Sequence, residues 1–309
     1  MKPIGRLLTA MVTPFDKTQQ VDYGQACRLA LALLDSGSDG VVVSGTTGES
    51  PTLTHEEKLR LFTEVRKAVG KRGDVVAGTG SNSTADSIAL TQEAERIGVD
   101  GVLLVVPYYN KPTPDGLFEH FAAIARATSL PCIVYNVPSR TVTSLAPDTV
   151  IKLSKEAPNI VGIKEASGDL NAVARIIEGA RPGFLVWSGN DNDTLPMMAV
   201  GGYGVIAVAS HLVGKQMKEM MDKFLARDTV GAAAIHRRLL PLFQTMFVVS
   251  NPIPVKYALN HVGFPVGNTR LPLTPPDAKA AAAIEAEVKK HKVDLPVPAS
   301  VHTEGPAGR

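Results

Sequence analysis

Eight short apolar runs constrain this chain more than any other feature. They are "LLTAMV" (7–12), "GVVVSG" (40–45), "VVAGTG" (75–80), "GVLLVV" (101–106), "PCIVYN" (131–136), "IVGIK" (160–164), "FLVWSG" (184–189) and "YGVIAV" (203–208). Runs this continuously rich in Val, Ile and Leu suit strands covered on both faces, as in parallel sheets. Amphipathic segments with helix signals lie between them. "THEEKLRLFTEVRKAVG" opens on a capping-box pattern, Thr54 with Glu57, and closes on Gly70. Helical segments are also predicted over 83–97, 115–128, 147–155, 169–180 and 191–200. Eight strands alternating with helices predict an α/β fold, a (β/α)8 TIM barrel with additional C-terminal helices. An open doubly wound sheet would carry a GxGxxG turn after an early strand, and "GTTGES" does not match it. The predicted division is a catalytic barrel over 1–210, a helical region over 211–292, and a Pro/Gly/Ala-rich tail over 293–309 expected to be disordered.

Formal net charge is +2 with the two signs interspersed, and no Lys/Arg block suggests a nucleic-acid or membrane footprint. No apolar stretch reaches the 18 residues a membrane span needs, and the first residues lack a secretory h-region. Cys27 and Cys132 fall in apolar segments without CxxC spacing, the pattern of small core residues in a reducing compartment. A cytoplasmic protein is the expectation. The seven histidines show no HExxH or paired spacing, so no metal site is expected. Neither a GxSxG elbow nor a GxxxxGK[ST] loop is present.

Barrel chemistry sits at the C-terminal ends of the strands, which nominates "GTTGES", "PYYNKP", "YNVPSR", "KEASGD" and "SGNDND" among others. On "VGIK", strand alternation sends Val161 and Ile163 towards the helices and Gly162 and Lys164 towards the interior, with Gly162 leaving space below the lysine. A desolvated amine there would have a lowered pKa and act as a nucleophile. The alternative is a lysine that snorkels to water from a strand end, and the pattern by itself leaves both open. Tyr135, at the end of the preceding run, lies at a similar height. Thr46 and Thr47 sit in a Gly-flanked turn suited to an anion. Tyr108 and Tyr109 follow the fourth run. A lysine among hydroxyls and an anion cradle, without carboxylates beside it, points to Schiff-base chemistry on a 2-oxo acid.

"GTTGES", "PYYNKP", "YNVPSR", "GIKEASGD" and "NPIPVK", in this order, resemble the pyruvate-dependent class I lyase family of dihydrodipicolinate synthases and N-acetylneuraminate lyases, over about residues 5–290. The resemblance implies that Lys164 forms a Schiff base with pyruvate and that Thr47 binds its carboxylate. It implies Tyr135 as general acid/base, with Thr46 and Tyr109 as its proton relay. Arg140 would hold the carboxylate of aspartate 4-semialdehyde, and Gly189 and Ile206 would line the pocket. The implied reaction leads towards lysine and diaminopimelate and needs no metal or organic cofactor. In the family the second relay tyrosine enters a neighbouring subunit's site, which implies a homodimer, usually paired into a tetramer. The family's regulatory lysine site would map to Ser50, Pro51, His55, Lys58, Asn82, Asp86 and Tyr108. Lys58 and Asp86 depart there from the histidine and glutamate of lysine-sensitive enzymes, so weak inhibition is expected. A related aldolase or dehydratase acting on 2-keto-3-deoxy sugar acids or N-acetylneuraminate would use the same Lys164, Tyr135 and threonine turn. Arg140 and the Tyr109 relay favour the synthase, since a polyol is better served by neutral groups. A non-catalytic metabolite binder is the third reading, and it predicts no covalent adduct with pyruvate and borohydride.

Overall fold

The computed structural model describes residues 3–297. Its eight strands are β1 (Leu7–Ala10), β2 (Gly40–Val43), β3 (Asp74–Gly78), β4 (Gly101–Val105), β5 (Cys132–Asn136), β6 (Ile160–Glu165), β7 (Leu185–Ser188) and β8 (Gly204–Ala207). Each pairs in parallel with the next, and β8 pairs with β1, closing the barrel. The helices in chain order are α1 (Tyr23–Asp35), α2 (His55–Val69), α3 (Thr84–Ile97), α4 (Pro114–Arg126), α5 (Pro138–Thr141), α6 (Pro147–Glu156), α7 (Leu170–Gly179) and α8 (Thr194–Ala199). After β8 follow α9 (Ser210–Leu225), α10 (Thr229–Thr245), α11 (Ile253–His261) and α12 (Ala278–Val288). Helix α9 packs against β1 and α1, so the helical layer of the barrel continues past residue 210, where the sequence placed appended helices. Helices α10 and α11 then pack on α9, and α12 on both. Of the expected tail, residues 298–309 lie outside the described residues, while Leu295 is buried.

Strand alternation separates two apolar populations. Val41, Val43, Val75, Val102, Leu104, Val134, Ile163 and Val186 join the layer between strands and helices. Leu8, Val42, Val76, Leu103, Ile133, Tyr135, Trp187 and Ile206 fill the barrel interior. Strand β6 breaks this rule once. Cys132 pairs with Ile160 but Ile133 pairs with Gly162, a bulge that leaves Val161 as the extra residue. Ile163 faces the helices and Lys164 the interior, as the alternation predicts. Val161, expected on the helix side, instead packs against the interior cluster. Nor does Gly162 leave empty space: a Cβ there would lie 2.6 Å from Trp187 Cζ3 and 2.2 Å from Leu185 O. The glycine makes room for the fully buried indole of Trp187, whose Nε1–H donates to Gly5 O at 2.9 Å.

The capping box at α2 forms as its sequence predicts. Thr54 Oγ1 accepts from Glu57 N at 3.2 Å, and Glu57 Oε2 accepts from Thr54 N at 2.9 Å. Glu57 also pairs with Arg270 (Nη2–Oε1 2.6 Å), tying the start of α2 to the C-terminal segment. No described helix is long and apolar enough to cross a membrane.

Candidate active site

Lys164 reaches the barrel interior because β5, β6 and β7 run in register: its Cα is paired with those of Tyr135 and Trp187, both interior residues. It is 5% exposed, and its Nζ lies 4.2 Å from the centroid of the Tyr135 ring. Burial lowers its pKa from 10.5 to about 8; the Asp191 charge opposes that shift and the Arg140 charge adds to it. A second lysine gives the comparison. Lys256, 1% exposed, is also lowered to about 8 by burial, yet its Nζ is saturated by Glu49 Oε1 (2.8 Å), Thr13 O (2.9 Å) and Asn268 O (2.9 Å). Lys164 forms no ion pair among the described residues. One buried amine is locked into structure, whereas the other lies over an aromatic face with no hydrogen bond of this kind among the described residues.

The hydroxyl on that ring is also shielded from water, Tyr135 being 6% exposed. Burial pushes it up to about 12, offset in part by the Arg140 charge and a hydrogen bond with Thr46. The tyrosine is therefore a neutral proton donor at ordinary pH, linked to the threonine that the sequence assigned to its relay. Thr46 lies in the tight turn after β2, where Glu49 N donates to Thr46 O (3.1 Å) and Ser50 N to Gly45 O (3.2 Å). Gly48 fits a tight spot here, since a Cβ would come within 3.1 Å of Ser44 backbone and Met11 O and the turn would have to give by a few tenths of an ångström. Thr47, 3% exposed, accepts a hydrogen bond from Asn251 Nδ2 at 2.9 Å. Arg140, on the one-turn helix α5, donates from Nη2 to Asn251 O at 3.2 Å.

A cavity of about 290 Å3 adjoins part of this group, and neither Lys164 nor Thr47 is in its lining. Its lining includes Thr46, Tyr135 and Arg140 together with Ser50, Pro51, Lys58 and Tyr108. Positions expected to form two separate sites thus share one cavity in this chain. Neither Asp nor Glu lines it, while Lys58 and Arg140 supply two cations, so it suits an anionic ligand. Burial lowers the pKa of Lys58. The other expected regulatory positions lie apart from the lining. His55 Nε2 contacts Glu93 Oε2 at 2.7 Å, Asn82 Nδ2 donates to Tyr108 O at 3.2 Å, and Asp86 is exposed in the first turn of α3. Tyr109 is 90% exposed with φ 75°, so in the single chain it does not join Thr46 and Tyr135. Gly189 and Ile206 sit at neighbouring strand ends. A Cβ on Gly189 would lie 2.5 Å from Ala166 Cβ, and Ile206 is fully buried in the interior cluster.

The expectation of no carboxylate near Lys164 needs correction. Glu165 does turn away, its Oε2 accepting from Asn136 Nδ2 at 3.0 Å and its Oε1 from Ser167 N at 2.7 Å. Asp191, however, is 1% exposed and within electrostatic range of Lys164. Burial raises its pKa to about 6, against hydrogen bonds from Ala209 N (2.7 Å) and Val208 N (3.1 Å). Its segment, "SGNDND", was nominated by the strand-end rule, but nothing in the pattern singled out this one of its acids.

The chain matches the dihydrodipicolinate synthetase family over residues 3–291. It belongs to that family. Among family members, the 4-hydroxy-tetrahydrodipicolinate synthase of Dehalococcoides mccartyi is 63% identical over 297 residues, 96% of this chain and 100% of the relative. A solved dihydrodipicolinate synthase of Cyanidioschyzon merolae with lysine bound superposes with a TM-score of 0.92 at 46% identity, covering 93% of this chain and 98% of that one. The Bacillus anthracis family member DapA-2 gives a TM-score of 0.91 at 46% identity, with 94% and 99% covered.

Proposed function

We propose that this family member is a 4-hydroxy-tetrahydrodipicolinate synthase, condensing pyruvate with L-aspartate 4-semialdehyde through a Schiff base on Lys164. One observation carries the reading: a nearly buried amine near the end of β6, with no ion pair among the described residues, lowered to about 8 and seated against the Tyr135 ring. The names of its high-identity relatives support it.

In this scheme the neutral amine adds to the pyruvate carbonyl and water leaves, giving the Schiff base. Loss of a methyl proton gives an enamine, whose carbon attacks the aldehyde of the second substrate. The amine of that substrate then adds to the former carbonyl carbon, closing the ring and expelling Lys164. Tyr135 carries the protons, with Thr46 behind it. Thr47 takes the pyruvate carboxylate and Arg140 that of the semialdehyde, the latter through a planar fork suited to the anion. Tyr109, exposed in one chain, completes the relay in a neighbouring subunit of a homodimer or tetramer. The cytoplasm is the compartment for such an enzyme, and the reaction is the first committed step towards lysine and diaminopimelate.

The test is to mix the protein with both substrates and follow product through a downstream NADPH-dependent reductase. Turnover that disappears in Lys164→Ala is the expected result. Silence from folded wild-type protein, with borohydride and pyruvate still labelling Lys164, would mean that the second substrate is a different aldehyde.

A further inference from the structure

The motif "NPIPVK" holds two residues that the proposed chemistry leaves unused, Asn251 and Lys256, and both act on the turn that carries Thr47. Lys256 anchors Glu49, two residues beyond Thr47, in a buried ion pair. Glu49 is in the left-handed region (φ 57°), and its other oxygen accepts from Arg270 N at 2.9 Å. Asn251 contacts Thr47 itself. Its amide is 5% exposed, Nδ2 donates to Thr47 Oγ1 at 2.9 Å, and Oδ1 is buried without a partner among the described residues. The Nδ2–Oγ1 bond is therefore the side chain's single polar attachment among the described residues.

A threonine hydroxyl has one proton and two lone pairs. When a neighbour donates into it, that proton must go to another acceptor. At a residue 3% exposed, bulk water is not freely available to take it. We propose that Asn251 is a positioning residue that sets the direction of the Thr47 hydroxyl, making it a donor towards the carboxylate of the first substrate. Asn251 thereby selects a 2-oxo acid as the molecule that reaches Lys164. Its main-chain carbonyl separately steadies Arg140, so one residue touches the groups assigned to both substrate carboxylates.

The inference rests on the assignment of Thr47 to the pyruvate carboxylate. Its test therefore isolates the first half-reaction: borohydride trapping of pyruvate on Lys164, followed by mass spectrometry as a function of pyruvate concentration. In Asn251→Ala the half-saturating pyruvate concentration is expected to rise about tenfold, the loss of one buried hydrogen bond, with trapping at saturation unchanged. Adding Asn251→Ala to Thr47→Val should cause no further loss. Because the carbonyl holding Arg140 is main chain, the KM for aspartate semialdehyde should change much less. Asn251→Asp is nearly isosteric but, when ionised, accepts the Thr47 proton and turns it away from the ligand. Its deficit should exceed that of alanine at pH 8 and narrow as the pH falls towards 5 and the carboxyl regains a proton.

Wild-type pyruvate dependence in Asn251→Ala would overturn the inference, as would an equal loss in the Thr47→Val background. If the alanine variant does not fold, a pH-independent deficit in Asn251→Asp overturns it instead. A wild-type protein that forms no adduct at all would instead overturn the proposed function.

Discussion

Tyr135 and Lys164 are register partners across β5 and β6, and the lysine Nζ stands 4.2 Å from the tyrosine ring centroid. The ring shields the amine from water, while the phenol oxygen at its edge offers a proton. With the pKa lowered to about 8, about one amine in ten is neutral at pH 7, against about one in three thousand at the ordinary 10.5. The initial rate of borohydride trapping should therefore climb about tenfold per pH unit below 8 and flatten above it. A rate still rising steeply at pH 9.5 would show that burial does not lower this amine.

The same burial opposes folding. The folded pKa lies below the unfolded one, so between about 8 and 10.5 the unfolded chain binds more protons and stability rises with pH. Below about 8 the whole penalty is present. Lys164→Met should be inactive yet more stable than wild type at pH 7, by up to about 3 kcal/mol. The gain should shrink as the pH approaches 10. Chemical denaturation at pH 7 and pH 10 measures both, and a less stable variant at pH 7 contradicts the account.

Removing the Tyr135 hydroxyl should leave the packing and take away the proton donor. In Tyr135→Phe the ring stays over Lys164, so pyruvate trapping by borohydride should persist more slowly. Overall turnover should fall by about 10²- to 10⁴-fold, the usual range for a positioned acid–base group. Steady-state kinetics beside adduct mass spectrometry separate the two effects; loss of both fold and adduct would mean that the hydroxyl is structural.

Breaking the Glu49–Lys256 pair from one side strands a buried charge. Lys256→Met should destabilise the protein by about 3–5 kcal/mol, whereas the double change Glu49→Gln with Lys256→Met should recover most of that loss. Equilibrium unfolding of the two variants decides it. Equal losses in both would assign the effect to packing rather than to the unpaired carboxylate.

Lys58 lines the same cavity as Arg140, where its charge would repel the ammonium of a bound lysine. Asp86 is exposed in the first turn of α3, outside the lining of that cavity. Activity should be nearly unchanged in millimolar lysine, although a structural relative binds that amino acid. Strong inhibition in the coupled assay would sink the prediction.

Periodicity alone was enough to expose the barrel, because strands buried on both faces must be apolar throughout and the helices between them must be amphipathic. The inward turn of Lys164 was one of two readings the pattern left open, and its register with Tyr135 and Trp187 decided it. The face taken by Val161 was not legible: the bulge at β6 depends on pairing with β5, and no residue in "IVGIK" announces it. Asp191 was hidden for a similar reason, because its importance lies in the backbone N–H groups of Val208 and Ala209 that hold it near Lys164. The cavity shared by Arg140 and Lys58 likewise follows from how loops after different strands converge.

The sequence by itself thus determined the architecture and nominated Lys164 with the hydroxyls expected around it, because each is written in local pattern or in an ordered set of motifs. Only the tertiary structure decided what each buried polar group is attached to. Thr47 meets Asn251, and Glu49 meets Lys256, across more than 200 residues of chain. Such pairs form because folding removes water from both partners at once, and each must then find its hydrogen bond in whatever the fold has brought beside it.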